Sequence, residues 1–146
     1  MALVDEVMEV TGTENVVGCS GMGVLTDARE NDREPGVAVT VMAGDDLEVV
    51  LVHERGDDAG IGIGEQLVPY PTDDALLVLL PSLFGDPTEV MQHITDAVGD
   101  LPIVGGMASP NPWERTEVQS LQWCGEEMGE DLVVGVLLRG MNFATG

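Results

Sequence analysis

Two stretches of the chain carry the residue types that could do chemistry, and in both a strand-like run ends on glycine. In Val16-Val17-Gly18-Cys19-Ser20-Gly21 a β-branched pair gives way to a glycine, a thiol and a hydroxyl. In Leu101-Pro102-Ile103-Val104-Gly105-Gly106-Met107-Ala108-Ser109 an apolar run stops on two glycines, with a hydroxyl three residues on. A β-branched run reads as a buried strand, and glycine at its end removes the side chain that would hold a neighbouring backbone or a ligand at a distance. Two chemistries fit such corners. In the first, the N–H groups of Gly18, Cys19, Gly105 and Gly106 join the Ser20 and Ser109 hydroxyls in a paired cradle for a carboxylate or similar small anion. Arg139 and Arg115 are then the nearest compensating charges in sequence. In the second, Cys19 or Ser20 is a nucleophile on a sharp turn, with His93 as a base brought in by the fold. The spacing favours the first chemistry, because a GxSxG elbow centred on Ser20 needs glycine where Met22 stands. Close chain packing at the glycines is compatible with either.

Other chemistry is poorly supplied. Cys19 and Cys124 form neither a CxxC pair nor a disulfide framework, and His53 and His93 are isolated, so no metal and no cofactor is expected. Gly60-Ile61-Gly62-Ile63-Gly64 lacks the GxGxxG spacing and reads as part of a loop, which argues against a dinucleotide.

The elements that must position the corners follow from hydrophobic spacing. Leu3, Val7 and Val10 recur at helical intervals before Gly12. A second helix is predicted over Pro87–Val98, with Val90, Met91, Ile94, Ala97 and Val98 on one face, proline at its start and Gly99 after its end. Both helices contain Glu-Val-Met and lead into a strand that stops at glycine. Downstream, Gly36–Val52 reads as strand, acidic turn at Gly44-Asp45-Asp46, strand, and Thr116–Leu138 repeats the plan with its turn over Gly125–Asp131. The chain therefore reads as one domain, 1–146, made of a duplicated unit: residues 1–53, a connector at 54–72 rich in Gly, Asp and Pro, and residues 73–146. The second unit has a leading strand at Asp74–Leu80 that the first lacks, which predicts a fragment of a longer chain. The expected fold class is α+β, with mainly antiparallel sheets built from hairpins and covered by helices 3–10 and 87–98, in a layered αββα arrangement.

Composition bounds the partners. Only five of the 146 residues are aromatic, so the core must come from aliphatic side chains, many of them β-branched. Against 27 acidic residues stand five basic ones, all arginine, for a net charge of -22. Such a chain repels phosphate, which excludes nucleic acid and an anionic membrane surface as partners. The acidic pairs are scattered over predicted turns, as in a solvated coat, and a coat without lysine suits a halophilic cytoplasm. The N-terminus carries acids where a signal peptide carries basic residues, and no apolar run reaches the ~18 residues of a membrane span. A cytoplasmic location is expected.

Taken in order, Val17-Gly18-Cys19-Ser20, Ala75–Leu80 ahead of Asp86-Pro87, Leu101–Ser109 and Val133-Val134-Gly135-Val136-Leu137-Leu138 resemble the N-terminal half of the FIST family of sensory domains. The resemblance covers most of the chain. It implies intracellular recognition of a small ligand, proposed for the family to be an amino acid or derivative, with the signal passed to a C-terminal half or a partner signalling domain. It also marks departures: the family's strand before the first helix and its C-terminal half are not in this sequence, and Gly21-Met22-Gly23-Val24 lacks the acid that usually follows the first corner. The favoured function is non-catalytic sensing of a small ligand in signal transduction. A hydrolase or transferase using Cys19 or Ser20, and a protein-interaction scaffold, are the alternatives.

Overall fold

The computed structural model of the chain describes residues 2–25, 30–31, 36–82, 85–109 and 120–140. Its centre is a four-stranded sheet in the order β4-β9-β5-β6, made by β4 (Glu48–Arg55), β9 (Leu132–Arg139), β5 (Ala75–Leu80) and β6 (Ile103–Gly105). The two longest strands, β4 and β9, pair antiparallel along their full length, from Glu48↔Arg139 to Arg55↔Leu132. β9 also pairs antiparallel with β5, so its LVVGVLLR run is covered on both edges and both faces, and every residue but Arg139 is buried. Such a strand needs apolar residues at consecutive positions, and this run supplies them.

One face of the sheet carries two helices, α2 (Ala59–Leu67) and α3 (Pro87–Val98). Strand alternation sends Ala75, Leu77 and Leu79 of β5 and Val133 and Leu137 of β9 into a core shared with Ile63, Leu67, Val90 and Ile94 of the helices. The start of α3 is set by Asp86, whose carboxylate accepts from the Thr88 N–H at 2.8 Å, and by Pro87 in the first turn. Because α3 crosses from β5 to β6, those two strands run parallel, with Leu77 opposite Ile103 and Leu79 opposite Gly105. The other face carries a three-stranded antiparallel sheet, β1-β7-β8, formed by β1 (Val17–Cys19), β7 (Gln122–Cys124) and β8 (Glu127–Gly129). Val17 and Cys124 meet Leu51, Leu80, Leu132 and Val134 between the sheets. Helix α1 (Ala2–Thr11) leads into β1, and a short hairpin pairs β2 (Val24–Leu25) with β3 (Glu30–Asn31).

The α+β class with mostly antiparallel strands is what the sequence predicts; several details are not. The segment 54–72, expected to be a connector, holds the last residues of β4 and the whole of α2. Its glycines form a helix because two of them give close approach to α3: a Cβ on Gly60 would lie 2.7 Å from the Val90 C=O, and one on Gly64 would lie 2.8 Å from the Ala97 Cβ. Small residues at i and i+4 let the helices touch backbone to backbone. The first arm of the expected 36–52 hairpin forms no strand. Its acidic turn is present, with the Leu47 N–H donating to the Gly44 C=O at 3.3 Å, but Val37, Val39 and Val41 are all more than half exposed. On α1 the inward face is Val4, Val7 and Met8; the predicted Leu3 and Val10 are exposed, Val10 by 81%. The duplicated plan is not shown: β6 runs parallel to β5 in one sheet, whereas β1 runs antiparallel to β7 in the other. Arg115 lies outside the described residues.

Candidate functional site

The two glycine corners are brought together. As β1 ends, the Ser20 N–H donates to the Leu121 C=O at 2.7 Å, and the Ser20 hydroxyl accepts from the Leu121 N–H at 2.9 Å while donating to the Ser109 C=O at 3.2 Å. Ser109 answers in kind: its N–H donates to the Ser20 C=O at 3.1 Å, and its hydroxyl accepts from the Met22 N–H at 2.9 Å. One residue earlier, the Ala108 N–H donates to the Pro81 C=O at 3.1 Å. Segments from β1, from the loop after β6, from the approach to β7 and from the end of β5 are thus stitched at one point. The stitch engages the Ser20 and Ser109 hydroxyls, two of the groups expected of the anion cradle.

The glycines divide by what they face. A Cβ on Gly18 would strike the indole of Trp123, its register partner on β7, so this glycine seats the ring. A Cβ on Gly105 would strike the Leu79 C=O, and φ there is +154°, so the close approach is that of β5. Gly106 has nothing within 4 Å of a Cβ, and borders an open groove of about 470 Å³ whose walls include Leu79, Pro87, Met91, Val104 and Met107. Arg139 is not brought to the junction. It pairs in register with Ala75 at the opposite end of β5 from Leu79, four residues or roughly 13 Å along the strand. There its guanidinium bonds Glu48, and its Nε is buried with no partner.

Beneath the stitch lies a feature that spacing did not single out. Gln122 is 0% exposed, and neither its amide nitrogen nor its amide oxygen has a hydrogen-bond partner. The Ser120 hydroxyl, also fully buried, is likewise unpartnered. Alternation along β7 puts Gln122 on the same face as Cys124, towards the space between the sheets. Its register partner on β1 is Cys19, two residues from the inward-facing Val17, so the thiol shares that face. Burial pushes the Cys19 thiol above its ordinary range, and pushes Cys124 up to about 11 with the Glu127 carboxylate adding to the shift. Both sulfurs are therefore neutral thiols at neutral pH, poor nucleophiles by charge state. His93 does not supply a base for Cys19: it lies on α3, packed against Gly60 of α2, with the four-stranded sheet between it and β1. The sequence signal for Gln122 was available, since a polar residue among Leu121, Trp123 and Cys124 at a strand position facing a core is anomalous. A reading of 116–138 as strand, turn, strand does not assign a face to that arm, and so does not single out Gln122.

Among the described residues no group of three or more His, Cys, Asp or Glu side chains is placed to hold a metal ion, and no helix is long and apolar enough to cross a membrane. Comparison with curated proteins gives no match. The FIST N domain family model matches residues 1–146, the whole chain. The chain belongs to that family, whose members are sensory domains of signal transduction.

Proposed function

We propose, with membership of the FIST N domain family as the premise, that this chain senses a small polar molecule beneath the corner junction, on the inward face of the β1–β7 pair. The observation that carries the reading is the pair of fully buried, unpartnered polar groups on Gln122 and Ser120 beside Cys19. A buried carboxamide without partners costs about 1–3 kcal/mol for each unmet group. A molecule that supplies an acceptor and a donor on adjacent atoms, as an amide or an amino acid does, would recover that cost on binding. Gly18, Cys19, Ser20 and Ser109 then act by holding the strands that form the site. Gly105 and Gly106 sit on its outer side, towards the groove. The stitch gives binding a route outward, because any shift of β1 relative to β7 pulls on Ser20 and through it on Ser109.

Thermal stabilisation tests this at fixed salt with a panel of amino acids, small primary amides and short carboxylates. At least one amide or amino acid should raise Tm in the wild type and fail to do so in Gln122→Leu. That variant should itself melt at or above the wild-type temperature, since it removes unmet polar groups. An undiminished ligand response in folded Gln122→Leu would sink the proposal. Cys19→Ala should keep the response. Turnover or covalent labelling that disappears in Cys19→Ala would instead favour the nucleophile reading.

A further inference from the structure

We propose that the outer edge of β6 and the groove beside it form a docking site for an extended, apolar peptide segment with basic flanks, contributed by a partner protein. Three observations meet here. First, β6 is an edge strand: its only strand neighbour among the described residues is β5. The Pro102 C=O accepts from the Leu77 N–H at 2.9 Å, so the even-numbered residues turn their backbone groups to β5 and the alternation turns the N–H and C=O of Ile103 outward. An outward pair of this kind is what an added strand bonds.

Second, the edge runs along the 470 Å³ groove, which Gly106 leaves unfilled. Val104 is 46% exposed at the rim, and Met91 and Met107 are the other exposed apolar side chains there. Methionines adapt to the shape of what they receive, which suits a site for alternate side chains of an extended segment. Backbone bonds from the edge and a pocket for every second side chain together describe strand addition.

Third, charge selects the occupant. Asp86 and Asp100, immediately before α3 and shortly before β6, are exposed acids. The two arginines among the described residues, Arg55 and Arg139, are both tied to carboxylates. A second copy of this chain would bring another -22 charges to an acidic edge. A partner segment with lysine or arginine at its ends meets the opposite sign and gains in association rate as well as affinity. The site adjoins the stitch, since Gly106 and Met107 run directly into Ala108 and Ser109, so a partner held here is placed to feel movement at the junction. The docking itself does not depend on the small-molecule reading.

The probe is a labelled nine-residue peptide of alternating Val and Thr flanked by paired lysines, titrated onto the full chain at low salt. It should bind. A version with proline at its second and fourth Val positions, and one with glutamates for lysines, should each bind at least tenfold more weakly. Val104→Thr, which keeps the β-branched shape at an exposed position, should weaken binding severalfold. Amide exchange of the wild type gives a readout independent of any variant: the Ile103 N–H should become protected when the peptide is present. Equal binding by the proline-bearing peptide, or an unprotected Ile103, would show electrostatic adsorption and overturn the proposal. Sedimentation showing dimers that Val104→Thr dissociates would overturn it in favour of a second copy.

Discussion

At Gly105 an added methyl group would be driven into the Leu79 carbonyl on a backbone with φ of +154°, whereas at Gly106 it would meet nothing within 4 Å. Gly105→Ala should therefore lower stability by about 3 kcal/mol, and Gly106→Ala by less than about 1, in denaturant titrations. Equal losses would mean that the two positions are alike in packing. The sequence predicts room for a close approach at these glycines; that β5 fills it at one and open space faces the other depends on the strand register. A second residue-scale outcome concerns pH. Below about pH 9 the Cys124 thiol is neutral in folded and unfolded chains alike, so its contribution to stability is fully present. Between 9 and about 11 only the unfolded thiol ionises, which favours unfolding, so stability should fall across that window. Lysine is absent from the sequence, which leaves few other groups to titrate there. Cys124→Ala should flatten the decline in Tm measured from pH 8.5 to 11. A decline as steep as in the wild type would assign it to other groups.

Helix α2 carries three glycines, and they should answer differently to the same substitution. Alanine gains about 1 kcal/mol of helix propensity over glycine at an interior site. At Gly60 that gain is opposed by a Cβ lying 2.7 Å from the C=O and 2.8 Å from the Cα of Val90, backbone atoms that cannot step aside without moving α3. Overpacking there should win, for a net loss of about 1–3 kcal/mol. At Gly62 the neighbour is the Glu54 side chain, whose carboxylate end can swing into solvent, so Gly62→Ala should hold or raise Tm. Melting curves of the two variants check both signs. The helix was illegible because alternating Gly-Ile has the period of a strand and the composition of a loop; what decides it is a contact with α3 that lies across the chain. Helix α3, by contrast, was legible to its ends, since its cap, its proline and its closing glycine are local signals. Strand β5 was equally plain. The 36–43 segment shows the converse, with a strand-like alternation of valines that finds no partner strand among the described residues.

Charge acts on the molecule as a whole. The paired arginines sit on exposed ion pairs worth little each, while 27 acidic groups repel one another over a small surface. Raising KCl from dilute to molar concentration should screen the repulsion more than it weakens the pairs, and Tm should rise by several degrees. A flat Tm across that range would remove the halophilic reading of the coat. The αββ layering was only partly legible, because which hairpin joins which sheet is set by contacts distant in sequence. The central position of β9 carries a further consequence for how the molecule comes into being on the ribosome. β9 is the last strand among the described residues, yet it alone joins β4, made some eighty residues earlier, to β5. Until Leu132–Arg139 emerges, β4 and β5 have no common partner, and the apolar faces of α2, α3 and β5 wait without a closed sheet beneath them. The central sheet therefore cannot be completed stepwise along the nascent chain, and the net charge of -22 opposes association of that waiting polypeptide with its neighbours.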